Sequence, residues 1–148
     1  MKKLLCLAAV LLSSVCVADD FIYCPSIVEC VTQNDFSSCQ STDNNWKRDT
    51  FQGKVQKGIY KLNHVWSGYQ IDSDDDEINK LSRCQYINID VPHVTKLLWL
   101  VSTKLLDASV ENDNGWMIFG DSAQCGNNPI KIGESLNPSI CPMELANI

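Results

Sequence analysis

The chain has 148 residues, with 12 basic and 18 acidic side chains and a formal net charge of −6. It lacks the basic footprint that phosphate binding needs, so nucleic acid is excluded as an expected partner, and an anionic membrane surface is disfavoured on the same ground. Beyond the N-terminal segment no stretch approaches the ~20 consecutive apolar residues of a spanning helix, so no membrane span is expected.

Residues 1–18 read as a secretory signal peptide. Lys2 and Lys3 precede an apolar or small-residue run from Leu4, and Cys16-Val17-Ala18 ends it before Asp19-Asp20. Cleavage after Ala18 is expected. Val15 is bulky where a lipoprotein signal needs a small residue, which argues against acylation at Cys16. Residues 19–148 then form one domain by length, expected to be monomeric and secreted or periplasmic. Loss of the two lysines leaves 10 basic against 18 acidic residues, a net charge of −8. Six cysteines remain in this part: Cys24, Cys30, Cys39, Cys84, Cys125 and Cys141. An even number behind an export signal predicts three disulfides, with the pairing left open. A bridge from the N-terminal cluster to the C-terminal pair would close the longest loop and stabilise most.

In chain order, Phe21–Gln40 reads as an arm tied down by its cysteines. Pro25 favours an extended entry, and Ser26-Ile27-Val28-Glu29 has the spacing of a capping box, which predicts a short helical turn. Ser41–Asn45 is a polar turn and Trp46–Phe51 a short strand. Val55–Trp66 is the central strand: Tyr60, Leu62, His64 and Trp66 recur at every second position, so strict alternation would turn all four toward a core. Gln70–Asn79 is an acidic loop, and Ser82–Val91 a second alternating strand ended by Pro92. Lys96–Leu106 reads as a buried strand. Asn114-Gly115 is a turn signal, with Trp116–Phe119 as the returning hairpin strand. Gly126–Pro129 is a further turn, Ile130-Lys131-Ile132 an edge strand, and Leu136–Ile148 a tail fastened at Cys141. Short strands at these intervals predict a mainly β fold, a small antiparallel sandwich or barrel stapled by disulfides.

The chemistry-bearing patterns are few. Asp72, Asp74 and Asp76 match the first, third and fifth ligands of a calcium loop, but Glu77 replaces the glycine of the sharp turn and Arg83 the bidentate acid. A solvated acidic loop is the expectation, with no metal and no cofactor. Phe119-Gly120-Asp121-Ser122 resembles the nucleophile block of Gly-Asp-Ser hydrolases, yet neither histidine, His64 or His93, follows Ser122. Trp46, Trp66 and Trp99 lie in apolar runs and are expected in the core. Tyr69, after Ser67-Gly68, is expected at the surface, where with Asp72, Asp74 and Asp76 it is the candidate binding residue for a protein or glycan.

The Cys24-Pro25 start, Trp46 followed by Phe51, and Cys84-Gln85-Tyr86 resemble a family of short exported proteins of unknown function from intracellular Gram-negative bacteria. The resemblance covers Cys24 to Tyr86, implies a secreted β-rich domain and transfers no catalytic residue. Cys30, Cys39, Cys125 and Cys141 lie outside its pattern. The sequence thus points to a secreted, disulfide-stabilised binding protein without catalytic activity, with a small hydrolase using Ser122 as the alternative.

Overall fold

A computed structural model describes residues 20–41, 43–49, 54–71, 78–90, 97–110, 114–126 and 135–146. The strands are β1 (Ile27–Cys30), β2 (Cys39–Gln40), β3 (Trp46–Arg48), β4 (Gly58–Ile71), β5 (Ile78–Asn88), β6 (Leu97–Ser102), β7 (Leu106–Ala108), β8 (Trp116–Phe119), β9 (Ser122–Cys125) and β10 (Met143–Leu145). Eight of them make one antiparallel sheet curled into a half-barrel, in the order β2-β1-β4-β5-β6-β3, with β9 also on β4 and β8 on β9. The remaining two, β7 and β10, form a separate ribbon.

Strand β4 holds this arrangement together because three strands pair with it. From Tyr60 to Ile71 it runs against β5, while its other edge takes β1 at Gly58–Lys61 and β9 at Val65–Ser67. The gap between them is closed by Leu62, whose N–H donates to Ser26 at 3.0 Å and whose carbonyl accepts from Leu136 N–H at 2.8 Å. Both backbone groups of Leu62 are thereby paired.

The register with β5 shifts at one point. Leu62 stands opposite Tyr86, but His64 stands opposite Gln85, so Asn63 is an extra residue in β4. Such a bulge reverses the alternation that follows it. Tyr60 and Leu62 before it and Val65 and Ser67 after it are the buried set, whereas His64 and Trp66 turn to the outer face and are only half-buried. The expected four-residue core face is therefore corrected to two short faces joined at Asn63. Trp99, opposite Gln85 on β6, is likewise half-buried on the outer face; Trp46 and Trp116 are the tryptophans of the core.

The inner face carries Tyr60, Leu62 and Val65 from β4, Cys84 and Tyr86 from β5, and Leu98 and Leu100 from β6. Burying a large apolar side chain of this kind stabilises by ~1.5–3 kcal/mol. The ribbon covers this face with Leu106 and Met143, both fully buried. Its backbone is met by a hydroxyl pair: Ser82 Oγ lies 2.9 Å from Ser67 Oγ, and Ser67 Oγ donates to the Leu106 carbonyl at 3.3 Å. Ser67 and Ser82 are direct cross-strand partners. The ribbon also holds the arm, since Ile22 and Met143 exchange N–H···O bonds of 2.7 and 3.0 Å.

Four elements depart from the sequence expectation. The ends of the expected loop Gln70–Asn79 are strand, with Gln70 and Ile71 in β4 paired to Asn79 and Ile78 in β5. Ser26–Glu29 is not a helical turn: residues Ile27–Cys30 are β1, with Val28 and Cys30 buried at every second position and partners on both edges. Strand pairing on two sides outweighs a local capping signal. The predicted strand at 96–106 splits into β6 and β7, which belong to different sheets. Trp116–Phe119 is a hairpin strand, but its partner is β9 beyond Gly120-Asp121 rather than a strand before Asn114. The predicted edge strand at 130–132 lies outside the described residues.

The six cysteines form Cys24–Cys84, Cys30–Cys39 and Cys125–Cys141, at sequence separations of 60, 9 and 16. None joins the N-terminal cluster to the C-terminal pair; the Ile22–Met143 bridge brings those ends together without sulfur. Loop-closure entropy assigns the first bridge ~4 kcal/mol and the second ~3 kcal/mol. The double variant Cys24→Ser/Cys84→Ser should melt a few degrees below Cys30→Ser/Cys39→Ser, at ~3–5 °C per kcal/mol for a domain of this size. Calorimetry of the two variants checks the order; the reverse order would show that loop closure does not set their contributions.

Candidate functional site

Beyond the ribbon, the inner face of β4 and β5 changes character along its length. Val65 and Cys84 are apolar and buried, Ser67 and Ser82 are buried hydroxyls, and the next inward pair is Tyr69 opposite Lys80. Here the core ends and a groove of about 210 Å³ begins. Tyr69 and Lys80 form its floor. One wall is the end of β7 with Asp107 and Val110, and the other is the tip of the β8–β9 hairpin with Ile118, Asp121 and Ser122.

Charge in the groove is partly neutralised from within. Lys80 Nζ pairs with the Asp107 carboxylate and stands 5.5 Å from the centroid of the Tyr69 ring. The ammonium thus fixes the ring by a cation–π contact worth ~0.5–1 kcal/mol where solvent reaches it. Tyr69 remains 52% exposed. Among the described residues Asp121 has no ion-pair partner.

The hairpin wall is set by two glycines. Gly120 has φ 58 and opens the two-residue turn Gly120-Asp121 closed by Phe119 opposite Ser122. Glycine with positive φ at the first central position is the arrangement of a II′ hairpin turn. Gly68, on β4 beside this hairpin, has no room for a side chain: a Cβ there would lie 2.7 Å from Ser122 Cβ and 2.9 Å from the Trp66 ring. Its absence lets β9 close onto β4 and brings the hairpin tip to Tyr69.

Of the residues singled out in the sequence, Tyr69 and Ser122 therefore meet in one groove. Asp72, Asp74 and Asp76 lie outside the described residues, as does His93. Ser122 Oγ donates to the Phe119 carbonyl at 3.1 Å across the hairpin turn. His64 is four strand positions from Gly68, the neighbour of Ser122, which is roughly 13 Å at the rise of a β-strand. A general base must stand within hydrogen-bond reach of its nucleophile, so His64 does not serve Ser122. His64 faces Gln85 on the outer side, with the Gly126 backbone packed over it, and burial holds its pKa below the usual histidine value.

No protein-family model, curated protein or solved structure matches this chain. The site is therefore described by its own chemistry: an exposed aromatic ring, apolar walls and a carboxylate at the rim. Among the described residues no three side chains of the metal-ligating kinds stand together, and no helix is long and apolar enough to cross a membrane. Lys80, Asp107, Val110, Ile118 and Asp121 were not read from the sequence as site residues. The readable signal for Asp121 was the Gly-Asp turn itself; for the others the pairing of distant strands decides.

Two outcomes follow from this geometry. Gly68→Ala should destabilise the protein by ~1–3 kcal/mol, because an added methyl must push β9 away from β4; a melting temperature unchanged from wild type would contradict the close approach. Burial lowers the native pKa of His64 below its unfolded value of 6.5. The unfolded chain binds its proton first, so this contribution to stability is complete above about 6.5 and is lost as pH falls toward the depressed native value. Urea midpoints between pH 8 and pH 5 should fall more steeply for wild type than for His64→Gln, and parallel profiles would show that His64 is not depressed.

Proposed function

We propose that this chain is an exported, disulfide-stapled binding protein that receives a protein or glycan ligand at the Tyr69 groove. The observation that carries this role is the placement of a half-exposed, cation-fixed tyrosine between the apolar side chains Val110 and Ile118 and the exposed carboxylate of Asp121. Aromatic anchors set in a partly apolar cleft with a polar rim are what recognition sites use. Export to the periplasm or the cell exterior is supported by the signal-like residues 1–18 and by three bridges that an oxidising compartment would maintain.

Ser122 takes part here as a hydrogen-bonded residue of the hairpin rather than as a nucleophile. Wild type, Tyr69→Ala and Ser122→Ala should each be assayed for ester and peptide hydrolysis, for glycan-array binding and for capture of host and envelope proteins. Tyr69→Ala is expected to weaken binding by ~10-fold or more, the loss typical of an aromatic anchor, with Ser122→Ala close to wild type. Hydrolysis that disappears only in Ser122→Ala would overturn the binding role.

A further inference from the structure

Resting on the binding role just proposed, we infer that the ligand is an extended polypeptide segment, apolar and basic in alternation, that adds as a strand to the free edge of β8. Among the described residues, strand β8 ends the main sheet on one side, paired with β9 alone. Among the described residues, the backbone of Met117–Phe119 makes no hydrogen bond except to β9. All three side chains are exposed: Met117 45%, Ile118 55% and Phe119 54%. An apolar, unpaired edge is a template for another strand, and proteins ordinarily guard such edges.

The other two terminal strands of the sheet are guarded. β3 presents the exposed charges of Lys47 and Arg48, and β2 is two residues long and bridged to β1 by Cys30–Cys39. β8 has neither device. Its geometry also names the pairing position. In a two-residue hairpin the closing pair, Phe119 and Ser122, exchanges hydrogen bonds, so bonding alternates and Ile118 directs its N–H and C=O away from β9. The next outward N–H, that of Trp116, is already capped by Asn114 Oδ1 at 3.2 Å. A partner strand therefore centres on Ile118.

Charge selects the partner. A residue paired with Ile118 shares its face of the sheet, the face of the groove, and a lysine or arginine stem is long enough to cross the ~5 Å strand spacing over the Ile118 side chain. Its cation then reaches Asp121, which pairs with no cation among the described residues because Lys80 binds Asp107. A second copy of this chain is the poorer occupant. Each copy carries a net charge of −6, and β8 itself has no basic residue to bring to Asp121.

The test is selection of a phage-displayed library of random nine-residue peptides on the oxidised protein, with Ile118→Asp as counter-target. Enriched peptides should alternate apolar residues with arginine or lysine. Synthetic copies should lose ~10-fold or more in affinity for Ile118→Asp and ~3-fold for Asp121→Asn, the second loss shrinking as salt rises. Ile118→Thr, which keeps a β-branched side chain, supplies the same comparison if Ile118→Asp does not melt cooperatively. N-methylation of the peptide amides in one alternate set should abolish binding while the other set tolerates it, because only one set faces β8. Absence of enrichment, or peptides indifferent to both methylation sets, would overturn strand addition. Peptides or glycans that still require Tyr69 in those cases would leave the groove as the binding site, whereas ligands indifferent to Tyr69→Ala would remove that role as well.

Discussion

One extra residue in β4 decides what faces the groove. Without the bulge at Asn63, strict alternation would turn His64, Trp66 and Gly68 inward and send Val65, Ser67 and Tyr69 outward. The core would then hold a histidine where Val65 now sits, and the groove would lose its aromatic floor. The bulge is held on the outer face, where Gln85 Nε2 donates to Asn63 Oδ1 at 2.9 Å and both residues are buried. The Gly126 backbone packs so closely that a Cβ there would lie 2.9 Å from the Asn63 carbonyl. A buried amide pair of this kind is satisfied only in one register, so it specifies the slip as well as tolerating it.

From that point the inner face is a graded surface. Apolar side chains fill it near Leu62 and Tyr86, hydroxyls carry the ribbon at Ser67 and Ser82, and an aromatic–cation pair closes it at Tyr69 and Lys80. The serines are what make the grading work. They stand where the β7 carbonyl of Leu106 would otherwise be buried without a donor, and leaving such a group unsatisfied costs ~1–3 kcal/mol. The same ribbon then places Asp107 against Lys80. Stability of the ribbon and shape of the groove are thus parts of one construction, with Met143 and Cys141 anchoring it from the C-terminal side.

The β class and the central strand were legible in the sequence because Val55–Trp66 and Ser82–Val91 alternate over enough residues to outvote local noise. The bulge was not, although Asn63 marked it. Asparagine is depleted in strands, and two alternating sets, Tyr60-Leu62 and Val65-Ser67-Tyr69, meet out of phase across it. β9 escaped notice for a different reason: Ser-Ala-Gln-Cys has no β-branched or aromatic residue, and its strand character comes from pairing on both edges. Disulfide existence followed from cysteine parity, but the pairing depends on which strands lie side by side. Tyr69 was found because an aromatic beside Ser67-Gly68 stands out, whereas Lys80 and Asp107 come to it only through the β4–β5 register and the ribbon.

The edge strand and the graded face meet at Ile118. Its backbone belongs to the sheet edge, while its side chain is part of the groove, because its partner Ala123 is inward and the hairpin extends past the core that buries Trp116. Trp116 is pinned by its indole N–H donating to the Pro142 carbonyl at 2.8 Å, and Cys125 beside it by the bond to Cys141. The base of the hairpin is therefore rigid and its tip is exposed. An edge that is rigid at its base pays little ordering entropy when a second strand joins it, since the residues to be paired already hold extended geometry. The tip carries exposed apolar side chains, Met117, Ile118 and Phe119, and ends at the exposed carboxylate of Asp121, so an apolar edge and a negative charge stand side by side.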